Sequence, residues 1–192
     1  MVKHLIKIGI TVGFTVYSVS IKRRIGILNK CVKYYKNLAF IDTLTLLPNR
    51  TAFDREMRRI ETNPQAYHSL TCLIFDLNYL KITNDTFGHL AGDELIRGSG
   101  QCIQKTFGGL GSLFRLGGDE FAVVLMDLTE DEVSASVNEL SENIAEYNDT
   151  HQYKIDISWG IAREDEEPNI RRLLKKADEK MYENKMKTKK LQ

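Results

Sequence analysis

The sequence predicts an α/β (α+β) domain in which helices flank a central mixed sheet, with an N-terminal connecting helix before it. Short apolar runs alternate with longer segments of helical periodicity, in the order α–β–α–β–β–α–β–α. The 192 residues, 42% of them hydrophobic, suffice for one domain of about 150 residues plus a short extra segment. The net charge of +1 argues against a nucleic-acid binder that works through bulk electrostatics.

The first 24 residues are open to two interpretations. Residues 5–21 are apolar except for Lys7 and several small residues, and a basic cluster follows at 22–24. This length is at the short limit for a membrane-spanning helix, and the basic cluster would place the rest of the chain in the cytoplasm. We therefore expect either an anchor that tethers the domain to the inner face of the cell membrane, or a strand over 6–16 left from a sensor domain.

The other elements follow from periodicity and from residues that begin or end them. Asn63-Pro64 ends a helix, because the residue before proline avoids helical geometry. Thr129 caps another helix that has acids in its first turn. Three cysteines without CxxC spacing favour free thiols in a reducing, cytoplasmic compartment. We predict strands at 70–77, 112–116, 121–126 and 153–161, a linker helix at 25–41, and further helices at 51–61, 91–107, 129–148 and 168–187.

The most informative segment is a predicted hairpin turn that begins with Gly117 and Gly118 and continues with Asp119 and Glu120. A tight hairpin favours a glycine pair because both central residues can need a positive φ. An ordinary hairpin would then resume its apolar alternation, whereas here two acids follow. Glycine lets a ligand approach the backbone and adjacent carboxylates hold a hard cation, so the turn suggests a Mg²⁺–phosphate platform. The alternative is a solvated acidic turn.

A second polar segment begins where the predicted strand 70–77 ends. Asp76 stands at the strand end, where ligands bind to α/β sheets, and its alternative role is that of a cap. Lys81 offers a positive charge for phosphate. Asn84 and Asp93 offer an amide and an acceptor for a base edge, although each could also be an ordinary turn or cap residue. Together with the hairpin acids, Asp76 favours a site for one or two Mg²⁺ ions.

These segments resemble the signatures of the GGDEF family, the diguanylate cyclases. The turn matches the name-giving motif letter for letter, and residues 76–93 are similar to D-x-D-x-F-K-x-x-N-D-x-x-G-H-x-x-G-D. Residues 42–50 resemble the opening D-x-L-T-x-L-x-N-R, and 177–185 resemble the closing A-D-x-A-M-Y-x-A-K. The resemblance covers about 39–190. It divides the chain into residues 1–24, the linker helix 25–41 and a GGDEF domain at 42–190.

The resemblance implies both a fold and a reaction. The fold is nucleotidyl-cyclase-like, with a mainly antiparallel five-stranded sheet flanked by helices. The reaction condenses two GTP molecules into cyclic di-GMP with release of pyrophosphate, and it depends on Mg²⁺, with Mn²⁺ as a substitute. Because one domain holds one GTP, the enzyme would act as a homodimer, with the linker helix pairing with its twin. The downstream receptors of cyclic di-GMP cannot be identified from the sequence.

The resemblance also assigns roles to residues. Asp76, the backbone carbonyl of Leu77, Asp119 and Glu120 would bind the metal. Asp119 or Glu120 would act as the base, and Lys81 would stabilise the phosphate charge as a third catalytic residue. The residues that would bind GTP are Asn84, His89, Asp93, Gly117, Gly118, Lys185 and Lys189.

Departures from the family pattern concern activity and its control. Asn78 stands where the family usually has a second aspartate, Leu80 where it usually has Phe, and Lys189 where it usually has Arg. These departures keep open an alternative: a catalytically weak module that binds GTP and regulates a partner. Asp93 favours GTP over ATP. Residues 108–111 occupy the place of the R-x-x-D product site without its charges, so we expect no feedback inhibition there. In the opening motif, Asp42 is expected to pair with Arg115.

Overall fold

The computed structural model describes the backbone of residues 2–166 and 168–190, and the side chains of 13–15, 17–32, 35, 39–166 and 168–187. The chain divides into two compact units, Met1–Ala39 and Phe40–Gln192. The first unit is one helix, α1 (Val2–Leu38), so the alternative of a strand over residues 6–16 is wrong. A helix satisfies its backbone hydrogen bonds within the segment, whereas a strand needs a neighbour.

The anchor predicted at residues 5–21 falls partly on side chains outside the described residues. Among the residues that the structure does describe, no helix combines the length and the apolar character needed to cross a bilayer.

The second unit contains an antiparallel sheet covered by helices. Its elements are α2 (Arg50–Thr62), β1 (Ser69–Leu77), α3 (Leu80–Phe87), α4 (His89–Phe107), β2 (Gly111–Gly117), β3 (Glu120–Met126), α5 (Glu130–Thr150), β4 (Ile157–Asp165) and α6 (Ile170–Lys190).

The sheet has the strand order β2-β3-β1-β4. The predicted α+β class, with a mainly antiparallel sheet flanked by helices, is confirmed. The described residues form four strands rather than five, and all three pairings are antiparallel rather than mixed. The strand predicted from residue 153 begins later because Asn148 holds the segment before it: its Nδ2 donates to the carbonyl of Ile155 at 2.9 Å, and its Oδ1 accepts from the Ile155 amide at 2.7 Å.

Helices on the two faces of the sheet create two apolar cores. Side chains such as Leu73 and Phe75 of β1 pack with α4 and α5, whereas Cys72 and Ile74 pack with α2 and α6. All nine residues of β1 are buried, because this strand is central and covered on both sides. At Gly160 of β4 the sheet touches α6 directly, since a Cβ there would lie 2.1 Å from the Ala177 carbonyl oxygen.

The polar stretch after β1 is more ordered than the sequence predicts. Residues 80–87 form helix α3, and α4 begins at His89 rather than at Ala91. Tyr79 turns the chain into α3 in the left-handed conformation, with φ of 59°. Gly88, with φ of 84°, separates the two helices. A non-glycine residue at positive φ is uncommon, so local propensity does not predict this turn.

Glu164 fastens the first turns of α6 to β4. Its carboxylate accepts hydrogen bonds from Arg172 Nη2 at 2.6 Å, Lys176 Nζ at 3.0 Å and the Asn169 amide at 3.1 Å. The side chain is only 12% exposed. The hydrogen bond from Arg172 is the largest cause that lowers the pKa of Glu164 to about 2 from its ordinary value of 4.5.

This pKa gives stability a defined pH dependence. Because the folded-state pKa lies below the unfolded value, the stabilisation is fully present above pH 4.5 and is lost as the pH falls towards 2. Replacing Glu164→Gln should lower the free energy of unfolding by about 1–2 kcal/mol at pH 7, since Arg172 and Lys176 are half exposed and screened. Urea unfolding should show that this difference shrinks by more than half at pH 3. Glu179→Gln on the exposed side of α6 is the control, and an equal difference at both pH values would contradict the account.

Candidate functional site

The end of β1 and the tip of the β2–β3 hairpin lie side by side. In the antiparallel register Asp76 is directly opposite Glu120. Residues opposite each other on an antiparallel pair share one face of the sheet, so the two carboxylates are neighbours. The Leu77 amide donates to the Asp119 carbonyl at 2.9 Å, which ties the strand end to the turn. Thus Asp76 and Glu120, 44 positions apart in the sequence, meet at one corner of the sheet.

The turn itself has the backbone that the glycine pair predicts. Gly117 has φ of 142° and Gly118 has φ of 52°, so both positive-φ predictions are confirmed. A Cβ built at either position would meet no heavy atom within 4 Å. Open space over two glycines lets a bulky anionic group approach the backbone closely.

Arg115 holds the turn in place. Its Nη1 donates to both carboxylate oxygens of Asp42 at 3.0 Å, and its Nη2 donates to the Gly118 carbonyl at 2.8 Å. The predicted pairing of Asp42 with Arg115 is therefore confirmed. Burial raises the pKa of Asp42, but hydrogen bonds from the Thr45 hydroxyl and amide and from Arg115 outweigh it, so the pKa lies below its ordinary value. The opening motif thus reaches the glycine turn through the Asp42 carboxylate and the Arg115 guanidinium.

Asp76 is buried, with 7% of its surface exposed, and its carboxylate pairs with the ammonium of Lys185 from α6. A buried carboxylate needs a cation or several hydrogen bonds to remain charged. Asp119 is half-buried and Glu120 exposed. Within the described residues, no group of three or more Asp, Glu, His or Cys side chains is arranged as a preformed metal site. Mg²⁺ characteristically takes only one or two carboxylates plus substrate phosphates and water, so this donor set fits it.

A pocket of about 270 Å³ adjoins this corner. Two lysines, Lys81 and Lys185, line it together with Asp119, and this combination of charges suits a phosphate chain with a metal ion. The residues that line it are Leu77, Asn78, Tyr79, Leu80, Lys81, Ile82, Asp119 and Lys185.

Helices α3 and α4 hold the two residues predicted to bind the base. The side-chain oxygen of Asn84 is buried and has no hydrogen-bond partner in the described part of the chain. A Cβ at Gly92 would lie 2.0 Å from that oxygen, so the glycine leaves room for the amide in the position it takes here. Asp93 follows Gly92 in α4. Its side chain is 41% exposed, and its Oδ2 lies 3.8 Å from Arg97 Nη2. An unsatisfied buried acceptor beside a partly free carboxylate is what a hydrogen-bonding ligand would complete.

One predicted residue lies apart from this arrangement, and another falls outside the described side chains. His89 is exposed at the first position of α4 and does not line the pocket. The side chain of Lys189 lies outside the described residues.

Asn78 has a structural partner that the sequence analysis missed. Its Nδ2 donates to Asp156 Oδ1 at 2.9 Å and to Ser158 Oγ at 3.0 Å, and Ser158 Oγ donates to its Oδ1 at 3.1 Å. An amide suits this buried position because it can donate to the Asp156 carboxylate, whereas a second carboxylate would repel it. Leu80, the other departure in this segment, packs against the core. Each residue therefore has a structural role as well as a place in the pocket lining.

Comparisons with known proteins agree with the motifs. The family model described as diguanylate cyclase, GGDEF domain, matches residues 39–190. The chain is similar to the probable diguanylate cyclase DgcI and to the diguanylate cyclase DgcN, both of Escherichia coli strain K12. Identities are 33% over 150 residues and 35% over 152 residues, which cover 78% and 77% of this chain. The matched parts are 32% and 37% of those proteins, so the chain spans about a third of their length.

A solved structure shows the same fold. The crystal structure of the coiled coil and GGDEF domain of DgcB from Caulobacter crescentus, in complex with c-di-GMP, has a TM-score of 0.77 to this chain. The likeness covers 90% of this chain and 94% of that one, at 23% identity. At this identity the likeness concerns the fold alone.

The Asn78 network predicts an unusual effect of restoring the family's residue. Asn78→Asp should bury a carboxylate beside the exposed carboxylate of Asp156 and lower the free energy of unfolding by about 2 kcal/mol. Adding Asp156→Asn should restore most of the lost free energy of unfolding, because the amide introduced at position 156 can donate to the carboxylate introduced at position 78. Urea unfolding at pH 7 of both single variants and the double variant measures the effect. An Asn78→Asp protein as stable as the wild type would refute the structural role of this amide.

Proposed function

The chain belongs to the GGDEF-domain family of diguanylate cyclases, and we propose that it condenses two GTP molecules into cyclic di-GMP with release of pyrophosphate. One observation carries the proposal: the register that sets Asp76 opposite Glu120, next to the open glycine turn. In this corner an anionic substrate can meet two carboxylates, backbone groups and two ammonium groups at once. The chain covers only a third of its curated relatives, so the proposal concerns this domain.

The diguanylate cyclases of this family are generally magnesium-dependent. In our proposal Asp76, the Leu77 carbonyl, Asp119 and Glu120 hold Mg²⁺, or Mn²⁺ in its place. The bound ion would supply Lewis-acid stabilisation of the α-phosphate and ease loss of the 3′-hydroxyl proton.

The protein's own groups would position the substrate. Gly117 and Gly118 leave space for the phosphates to approach the turn, and Lys81 offers positive charge to the phosphoryl group under attack. Lys185 and Lys189 would bind the remaining phosphates. Asn84, fixed against Gly92, and Asp93 would bind guanine through its Watson–Crick edge and so favour GTP over ATP.

Proton transfer requires one of the two hairpin acids. Asp119 is half-buried beside the pocket, whereas Glu120 is exposed. Either carboxylate can accept the proton of the attacking hydroxyl, and the other then remains a metal ligand.

Dimerisation completes the proposal, because two GTP molecules must meet across a two-fold axis. The first unit supports it: Ile25, Leu28 and Val32 of α1 are exposed by 52%, 65% and 45% and recur at helical spacing. Apolar residues at this spacing favour the pairing of two helices.

The alternative of a weak regulatory module rested on Asn78 and Leu80. Their contacts with Asp156, Ser158 and the core give both residues a structural role in addition to their place in the pocket lining. These departures therefore do not favour the alternative.

Activity can be tested directly. Purified protein with GTP and Mg²⁺ should yield cyclic di-GMP and pyrophosphate, separated by chromatography. Asp119→Ala and Glu120→Ala should each reduce the rate about 100-fold or more, because each removes a metal ligand or the base. Asp131→Ala, an exposed acid on α5, is the matched control and should leave the rate unchanged. GTP binding without turnover would support the regulatory module instead, and neither binding nor turnover would exclude both functions.

A further inference from the structure

The contact between Asp76 and Lys185 joins a predicted metal ligand to a predicted phosphate ligand. The Asp76 side chain is 10% exposed and that of Lys185 is 23% exposed, so the pair is largely removed from water. The two residues come from the central strand and the last helix, 109 positions apart. The lysine ammonium therefore stands where a cation would bind to this carboxylate.

A buried carboxylate of this kind must exchange one cation for another rather than hold both. In a medium of low polarity, a divalent ion bound to Asp76 would strongly repel an ammonium group that contacts the same oxygen. Leaving Lys185 unpaired in the pocket is also unfavourable. The metal alone must therefore displace the lysine without offering it a new partner.

A triphosphate changes this balance, because its oxygens can accept the ammonium. Lys185 lines the same pocket as Lys81 and Asp119, so its side chain can turn to a phosphate there without a movement of the helix. Neighbouring side chains attach this part of the helix to β4: Asn184 Nδ2 donates to the Trp159 carbonyl at 2.7 Å, and Lys180 Nζ donates to the Ile161 carbonyl at 2.9 Å. Only the side chain of Lys185 has to move.

We propose that Lys185 acts as a resident counter-cation that closes the Asp76 site to divalent metal until a triphosphate draws the ammonium away. Metal and nucleotide then bind cooperatively, and metal alone binds weakly. This inference rests on the proposed function, since it takes Asp76 as a metal ligand and a nucleoside triphosphate as the ligand of the pocket.

The test is a titration with Mn²⁺ in the absence of nucleotide, with free Mn²⁺ measured by electron paramagnetic resonance. Lys185→Met removes the charge and keeps much of the side-chain length, and it should bind Mn²⁺ about 10-fold more tightly than the wild type. Lys185→Arg keeps a cation beside Asp76 and should bind as weakly as the wild type. Lys187→Met, an exposed lysine of the same helix, is the matched control and should have no effect.

Two further Mn²⁺ titrations identify the residue and the ligand on which the change in affinity depends. Asp76→Asn in the Lys185→Met background should abolish the gain, which identifies Asp76 as the ligand. A non-hydrolysable GTP analogue should tighten Mn²⁺ binding to the wild type more than to Lys185→Met, because the barrier is already absent in the variant. Circular dichroism checks that each variant is folded.

Equal Mn²⁺ affinities of the wild type and Lys185→Met would overturn the inference, and so would a failure of both proteins to bind Mn²⁺ alone. Neither result would affect the proposed function if the wild type still makes cyclic di-GMP. Conversely, tighter Mn²⁺ binding by Lys185→Met, together with no cyclic di-GMP from the wild type, would support the counter-cation and exclude the cyclase.

Discussion

The register between β1 and β3 is the constraint on which the site depends. Successive side chains of a strand point to opposite faces, so a slip of one residue would turn Asp76 from the α6 side to the core beneath α4 and α5. A carboxylate there would lie among apolar side chains without Lys185. The charge of Asp76 therefore penalises the wrong register, and the Leu77–Asp119 hydrogen bond supports the right one. The residue that serves the proposed chemistry also helps to align the sheet.

Charged residues connect this corner to distant parts of the domain. Asp42, just after the boundary between the two units, binds Arg115, and Arg115 binds the carbonyl of Gly118 in the turn. At the other end of the chain, Lys185 contacts Asp76. The beginning of the second unit thus reaches the turn, and its end reaches the adjoining end of β1, each through an ion pair of low exposure. Such pairs depend on every partner, because removing one leaves an uncompensated buried charge.

Local sequence was enough to predict the hairpin, the end of α2 at Asn63-Pro64, the Thr129 cap of α5 and most strand positions. The Asp42–Arg115 pair was expected from the family's opening motif. Local sequence did not predict α3, because Tyr79 adopts a left-handed conformation that sequence propensity disfavours. Nor did it predict the later start of β4, which depends on Asn148, or the pairing of Asn78 with Asp156. The exchangeable Asp76–Lys185 contact joins residues 109 positions apart. Motif spacing assigned roles to both residues but gave no sign that they touch without ligand.

The central claim is that carboxylates from two β elements converge on one divalent ion that binds a purine triphosphate. A crystal structure of the protein with Mg²⁺ and a non-hydrolysable GTP analogue tests it most directly. The account predicts a metal ion about 2.1 Å from an Asp76 oxygen and from a hairpin carboxylate, with Lys185 turned to a phosphate. A nucleotide bound elsewhere, with Asp76 still paired to Lys185, would contradict it.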